Sequence, residues 1–301
     1  MKISTTFSKT IDHVRVVIQR TPDEDDLEMQ IEGRPSLGRE EIFIDADQNF
    51  SPDETHNDIL GLVCLLTVEP YCAKNVELDF PVSVGFANAF RKNFGKEIFP
   101  TSPDISQRQM APDFKDALSF SGGADSCAVL HLLPVDTISF FLKMVHPDNG
   151  ITGKYRAEAA LYSCKAVEES GRRMVICPST VEYGRKPTGF TVDWTPSVAA
   201  VLHADLFRLR SVSFGMIIES AFRLGGKEYT ELSGRKGYRT WKAMFDYCSI
   251  PISLPTAGIS EVLTSRISQG PASIWKPQSC VRGGIGVPCM KCLDSSFKCN
   301  V

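Results

Sequence analysis

The chain has 301 residues, a formal net charge of −3, 43% hydrophobic and 23% charged residues. These proportions suit a globular protein and give no general electrostatic reason to expect nucleic acid or a membrane as partner. The longest apolar run, "ILGLVCLLTV", is too short to span a bilayer, and the first residues, "MKISTTFSKTIDHVRV", lack a secretory core. A reduced, cytoplasmic setting is therefore expected, in which clustered cysteines among the chain's ten point to metal rather than to disulfides.

In chain order, alternating apolar and polar residues predict strands over residues 13–20, 27–33 and 40–46. The acidic run over 23–26 is expected at a solvated hairpin tip. Residues 55–71 read as a helix, 76–81 as a strand, and 83–95 as a helix closed by Gly95. The stretch "FPTSPDISQRQMAPDF" carries three prolines and little periodicity. It is expected to link a small α+β domain, residues 1–112, to a second domain, residues 113–301.

From there the pattern alternates. Strands are predicted at 116–120, 136–145, 172–178 and 227–234, and helices at 124–133, 153–171 and 203–226. This order implies an α/β fold with a doubly wound parallel sheet and helices on both faces. Ligands in such sheets sit beyond the carboxyl ends of the strands.

One such end reads "ALSFSGGADSCAVLHLL". A strand that turns directly into a helix presents unpaired N–H groups and the positive end of the helix dipole, which together make an anion site. Gly122 and Gly123 let the backbone approach an oxyanion, and Ser121 and Ser126 add hydroxyls. Asp125 makes sense there as a ligand to Mg²⁺ or as a cap for backbone N–H groups. No Gly-Lys-Ser/Thr follows, so the loop is not a Walker A motif. At the other end of the chain, Cys280, Cys289, Cys292 and Cys299 crowd into a tail in which a C-x-x-C pair suits tetrahedral zinc.

"SGGADS" resembles the pyrophosphate loop, Ser-Gly-Gly-x-Asp-Ser, of the N-type ATP pyrophosphatases. The resemblance implies the adenine nucleotide alpha hydrolase-like (PP-loop) fold. It also implies cleavage of ATP between the α and β phosphates, adenylation of a carboxylate or carbonyl oxygen, and displacement of AMP by a nitrogen or sulfur nucleophile. Ser121, Gly122, Gly123, Asp125 and Ser126 would hold the pyrophosphate and Mg²⁺, with His146 and Glu158 near the nucleotide and adenine against "ISFFLKM".

The tail is most similar to that of 7-cyano-7-deazaguanine synthase, whose zinc pattern C-x8-C-x2-C-x2-C is met by Cys280, Cys289 and Cys292. Its fourth position falls on Ser295, with Cys299 four residues later. Residues 207–226 resemble the family's Pro-x-Arg-Asn helix, with Arg210 in the arginine position and Ser211 where asparagine stands. In "PISLPTAGISEV", Glu261 aligns while Ile259 replaces a lysine.

The expected catalytic set is Ser121, Asp125, Arg210 and Lys236, with Arg235, Arg239 and Lys242 on the substrate. The expected reaction is an AMP-forming ligation. It joins a small, 7-deazaguanine-like substrate to ammonia or another nitrogen donor, because no glutaminase signature is present. Two alternatives stand beside it: a macromolecular acceptor, through tRNA thiolation or protein conjugation, and a nucleotide-binding protein without catalysis. The N-terminal domain is expected to shape the substrate site or a homodimer contact.

Overall fold

A computed structural model describes residues 1–31, 33–110, 113–148, 157–224, 228–229, 231–269, 276–279 and 283–287. β1 (Lys2–Lys9) and β2 (His13–Thr21) pair antiparallel, and Val14, Val16 and Ile18 alternate inward as their period requires. α1 (Glu24–Glu28) follows, then β3 (Ser36–Leu37) and β4 (Glu41–Asp47). The acidic run is not a hairpin tip. Asp23 caps α1 by accepting from the Asp26 N–H, and buried Asp26 accepts from the Ala73 N–H at 2.7 Å. Those bonds turn the start of the predicted 27–33 strand into the end of a short helix, because acidic side chains at an N-cap satisfy orphan donors better than a hairpin would.

α2 (Asn57–Val68) is apolar all round and buried, as expected of "ILGLVCLLTV". β5 (Asn75–Ser83), α3 (Val84–Phe94) and β6 (Glu97–Ser102) come next, with Gly95 closing α3 at φ 71°. The proline-rich stretch thus begins as a strand, since β5 gives 99–102 a parallel partner.

The second half contains β7 (Lys115–Ser119), α4 (Ala124–Leu132), β8 (Ile138–Met144), α5 (Glu158–Glu169), β9 (Met174–Ser179), β10 (Arg185–Lys186), α6 (Val198–Leu202), β11 (Leu209–Ser213), α7 (Ile218–Phe222), β12 (Arg223–Leu224), β13 (Glu228–Tyr229), α8 (Lys236–Tyr247), β14 (Ile252–Ser253) and α9 (Glu261–Gln269). The helix predicted over 203–226 is replaced by a turn, the interior strand β11, the short α7 and β12. β11 lies between β7 and β14, and its Val212 and Ser213 are buried. Parallel neighbours on both sides outweigh a weak helical pattern.

Among the described residues ten strands form one sheet, in the order β14-β11-β7-β8-β9-β4-β2-β1-β5-β6. β14, β11, β7, β8 and β9 run parallel. β9 meets β4 antiparallel at Ile44↔Ser179, so both halves of the chain share the sheet. Alternate residues of β7 and β8 supply two cores. Ala117 and Phe140 pack on the face covered by α6 and α8, and Leu118 and Phe141 on the face covered by α4 and α5. This is the expected doubly wound α/β arrangement. The chain winds outward from β7 through β8 to β9, then returns to β11 and winds the other way to β14. The switch point lies between β7 and β11, where such sheets open a crevice beyond their carboxyl ends. No helix of the described residues is long and apolar enough to cross a membrane.

Candidate functional site

The Ser-Gly-Gly turn leaves β7 at that switch point. Gly122 sits at φ +78°, and a Cβ there would come within 3.0 Å of the Ala160 Cα on α5. Only glycine combines that conformation with that approach. Gly215, leaving β11, is as constrained: its Cβ would lie 2.9 Å from the Asp125 carbonyl carbon and from the Ser126 nitrogen. The exits of the two strands flanking the switch therefore press on one another, and α4 starts in the gap.

Gly123 is the N-cap of α4 and provides no side-chain cap. Its own N–H points to the Ser121 hydroxyl at 3.4 Å, and the Ala124 N–H donates to the Ser279 hydroxyl at 3.2 Å. A Cβ on Gly123 would make ordinary contacts, 3.5 Å from the Ser121 Oγ and 3.7 Å from the Ser279 Oγ. The two glycines thus do different work. Gly122 is required by the fold, and Gly123 keeps open the space between two hydroxyls. Gly122→Ala is expected to lose about 1–3 kcal/mol of stability in denaturant titrations. Gly123→Ala is expected to unfold like wild type and to bind magnesium pyrophosphate about tenfold more weakly, because a methyl group stands where the anion would sit. Equal stability for the two variants would contradict this division.

Asp125 lies in the first turn of α4, and its Oδ1 accepts from the Thr264 Oγ1 on α9 at 2.6 Å. α9 packs against α4, and Thr264, Ser265 and Ser268 of α9 are small and buried. The N–H of Glu261 in turn meets the Glu219 carboxylate at 3.3 Å. A carboxylate held this way in the first turn of α4 offers a hard oxygen ligand of the kind that Mg²⁺ takes. Ser126 serves the loop itself. It is buried, donates to the Gly123 carbonyl at 3.0 Å and accepts from the Ser121 N–H at 3.3 Å.

The remaining expected residues divide by position. Glu158 opens α5 and is exposed, two residues before the Ala160 that touches Gly122. His146 follows β8, next to β7. Its Nδ1 accepts from the Asp148 N–H at 3.1 Å, and its ring meets Tyr183 edge-on with centroids 5.0 Å apart. Arg210 is not brought to the site. It is paired with Asp116 at 2.9 Å at the amino end of β7, about 16 Å of strand rise from Ser121. That arginine pulls the Asp116 carboxyl below the usual carboxylate range.

The basic group also divides. Arg235, Lys236 and Arg239 stand at the start of α8, which returns antiparallel to β11 and so begins at the crevice side. Arg235 donates to the Ser220 carbonyl at 2.8 Å. Cations in a first helical turn oppose the dipole, an arrangement that an anion would relieve. Lys242 lies farther along α8 and pairs with Asp246 one turn on. Cys127, directly after the loop, is buried and its thiol is pushed up by burial, so it packs rather than attacks. Cys280, Cys289, Cys292 and Cys299 lie outside the described residues, among which no cluster of three metal-ligating side chains occurs.

Sequence reasoning missed Thr264, Gly215, Ser163 and Ser279. The spacing of Thr264, Ser265 and Ser268, a stripe of small residues one helical turn long, was the signal for α9 packing on α4. It also missed Glu182, in the turn after β9. This residue is 7% exposed, and among the described residues no hydrogen-bond partner reaches its Oε2.

Three comparisons bear on the chain. Residues 240–300 match DUF6395, a family of unknown function. That stretch holds Thr264, Ser279 and the cysteine-rich tail. No curated protein matches the chain significantly. Among solved structures, the U34-tRNA thiolase NcsA from Methanococcus maripaludis, with its 4Fe-4S cluster, is similar at 16% identity over 71% of this chain and 70% of that chain, with a TM-score of 0.31. A likeness that shallow carries no argument, and the reading of the site rests on its own residues.

Proposed function

We infer that the chain is an ATP-using enzyme that splits the nucleotide between its α and β phosphates and transfers the adenylyl group to an acceptor oxygen. One observation carries this reading. A Ser-Gly-Gly-x-Asp-Ser turn, with Gly122 in the left-handed region, delivers to the switch point of a doubly wound sheet a helix N-terminus whose N-cap residue has no side chain. The β,γ-pyrophosphate would lie on the N–H groups of Gly123 and Ala124 and the hydroxyl of Ser121, with Asp125 and Ser121 holding Mg²⁺. Bound there, the ion neutralises charge on the departing pyrophosphate.

In the first step an acceptor carboxylate or carbonyl oxygen forms a bond to the α-phosphorus, the Pα–O–Pβ bond breaks, and pyrophosphate leaves with the electron pair. In the second a nitrogen nucleophile adds at the activated carbon, gives up its proton, and AMP leaves. Glu158 and His146 would lie along the nucleotide, and adenine would rest against the end of β8. Arg235, Lys236 and Arg239 would hold an anionic acceptor at the mouth of the crevice, where an arginine fork matches a carboxylate.

Incubating the full chain with MgATP, ammonium and a fractionated small-molecule extract tests the acceptor class. AMP released with one small-molecule fraction supports a small carboxylate, such as a deazaguanine-like heterocycle. AMP released only with RNA or protein favours a macromolecular acceptor, which the exposed cations of α8 would also suit.

For the tail we carry zinc as a proposal on the spacing of Cys280, Cys289, Cys292 and Cys299. Elemental analysis of the purified chain is expected to find about one zinc per chain and to lose it in Cys292→Ser. A metal content unchanged by that substitution would refute it.

A further inference from the structure

The segment that precedes the cysteine tail lies across the phosphate loop. The Gln278 N–H donates to the Gly122 carbonyl at 2.7 Å. The buried Ser163 hydroxyl, on α5, donates to the Lys276 carbonyl at 2.6 Å and lies 3.2 Å from the Gly122 carbonyl. The Lys276 ammonium sits 4.9 Å over the Tyr162 ring, and the Gln278 side-chain oxygen accepts from the Gly286 N–H at 2.9 Å. Residues 276–279 are thereby pinned to both α5 and the loop.

The last residue of this strap reaches the site. The Ser279 Oγ accepts the Ala124 N–H, the first donor of α4 beyond its cap. That N–H carries one hydrogen. A phosphate oxygen that takes it must displace the serine hydroxyl. An ionised oxygen accepts about twice as strongly as a hydroxyl, so the exchange favours the ligand without being free of cost.

We propose that residues 276–279 are a latch on the phosphate loop, in which Ser279 takes the place of a phosphate oxygen and is released when pyrophosphate or the β,γ-phosphates of a nucleotide bind. The proposal rests on the phosphate-loop reading above and adds to it a regulation. Docking of the strap and occupation of the loop oppose each other, so whatever stabilises residues 276–279 on the loop weakens nucleotide binding.

Titration calorimetry of the full chain with magnesium and inorganic pyrophosphate tests this, comparing wild type with Ser279→Ala and following amide exchange at Gln278. Ser279 is partly exposed, and thermal midpoints check that the variant folds. The variant is expected to bind pyrophosphate about fivefold more tightly, the factor that one neutral hydrogen bond supports. In wild type, the Gln278 amide is expected to be protected alone and to lose protection on saturation. Binding that is weaker or unchanged in Ser279→Ala would overturn the latch and leave the loop reading standing, as would a Gln278 amide equally protected with and without ligand. No binding by either protein would overturn the loop reading, and the latch with it. Binding by the variant alone would support both.

Discussion

Asp125→Asn is expected to fold like wild type and to form AMP about 10²- to 10³-fold more slowly, the loss typical when one preorganised electrostatic group is removed from a reacting site. The asparagine carbonyl can still accept the Thr264 hydroxyl that now lies 2.6 Å from the Asp125 Oδ1, so the packing of α9 on α4 survives. What disappears is the negative charge, and with it the preferred ligand for a hard divalent cation. Thermal midpoints within a few degrees of each other, together with a collapse of the AMP rate in the presence of the active acceptor fraction, are the expected pair of results. AMP formed at the wild-type rate would remove Asp125 from the chemistry. An unfolded variant would show that Asp125 serves α9 packing above all.

Glu182→Gln is expected to stabilise the protein in alkaline solution. Burial pushes the Glu182 carboxyl up to about 7, and among the described residues no hydrogen-bond partner reaches its Oε2. Between its ordinary value of 4.5 and about 7 the native state therefore holds a proton that the unfolded chain has lost, so stability falls as pH rises through that window. The loss approaches about 3 kcal/mol by pH 8. Glutamine keeps the shape of the protonated acid and does not ionise. The variant should match wild type near pH 4 and exceed it by a margin that grows to pH 8.

His203 opposes this trend in wild type. Its ring is buried. Its Nδ1–H donates to the Ala199 carbonyl, and its Nε2 accepts from the Asp47 N–H, an arrangement that fits only the neutral form. Burial lowers it to about 4, so the unfolded chain binds the extra proton between about 4 and 6.5, and stability rises with pH there. The two groups largely cancel in the overlap, and the variant exposes the histidine's rising limb. Denaturant titrations across pH 4–8 measure it. A constant difference between the two proteins at every pH would show that Glu182 does not titrate in this way.

Much of this architecture could be read from local chemistry. The runs that became β7, β8 and β9 are short, apolar and bounded by turns, and Gly95 and Gly171 stand just past helix ends in the left-handed region. The loop was readable because glycine and serine at a strand exit have few structural alternatives. β11 was not, because its five residues include Arg210 and Ser211, whose polar atoms are satisfied by Asp116 on a strand ninety-four and ninety-five residues earlier. Its placement depends on that distant pairing rather than on its own period. Expecting a helix there carried Arg210 into the site, and the strand carries it to the opposite edge of the sheet.

Ser279 was hidden for a related reason. Nothing in "KPQSC" marks a hydroxyl that will meet a helix N-terminus one hundred and fifty-five residues earlier. The same holds for the α1 region. An acidic run reads as solvated until the fold supplies the Ala73 N–H that buries Asp26.

Cleavage of ATP between its α and β phosphates at this loop is measured directly by incubating the purified chain with magnesium and ATP labelled separately in the α and γ positions, together with acceptor fractions. The α label is expected to end in AMP or an adenylated acceptor and the γ label in pyrophosphate. Label found instead in ADP and inorganic phosphate would contradict it.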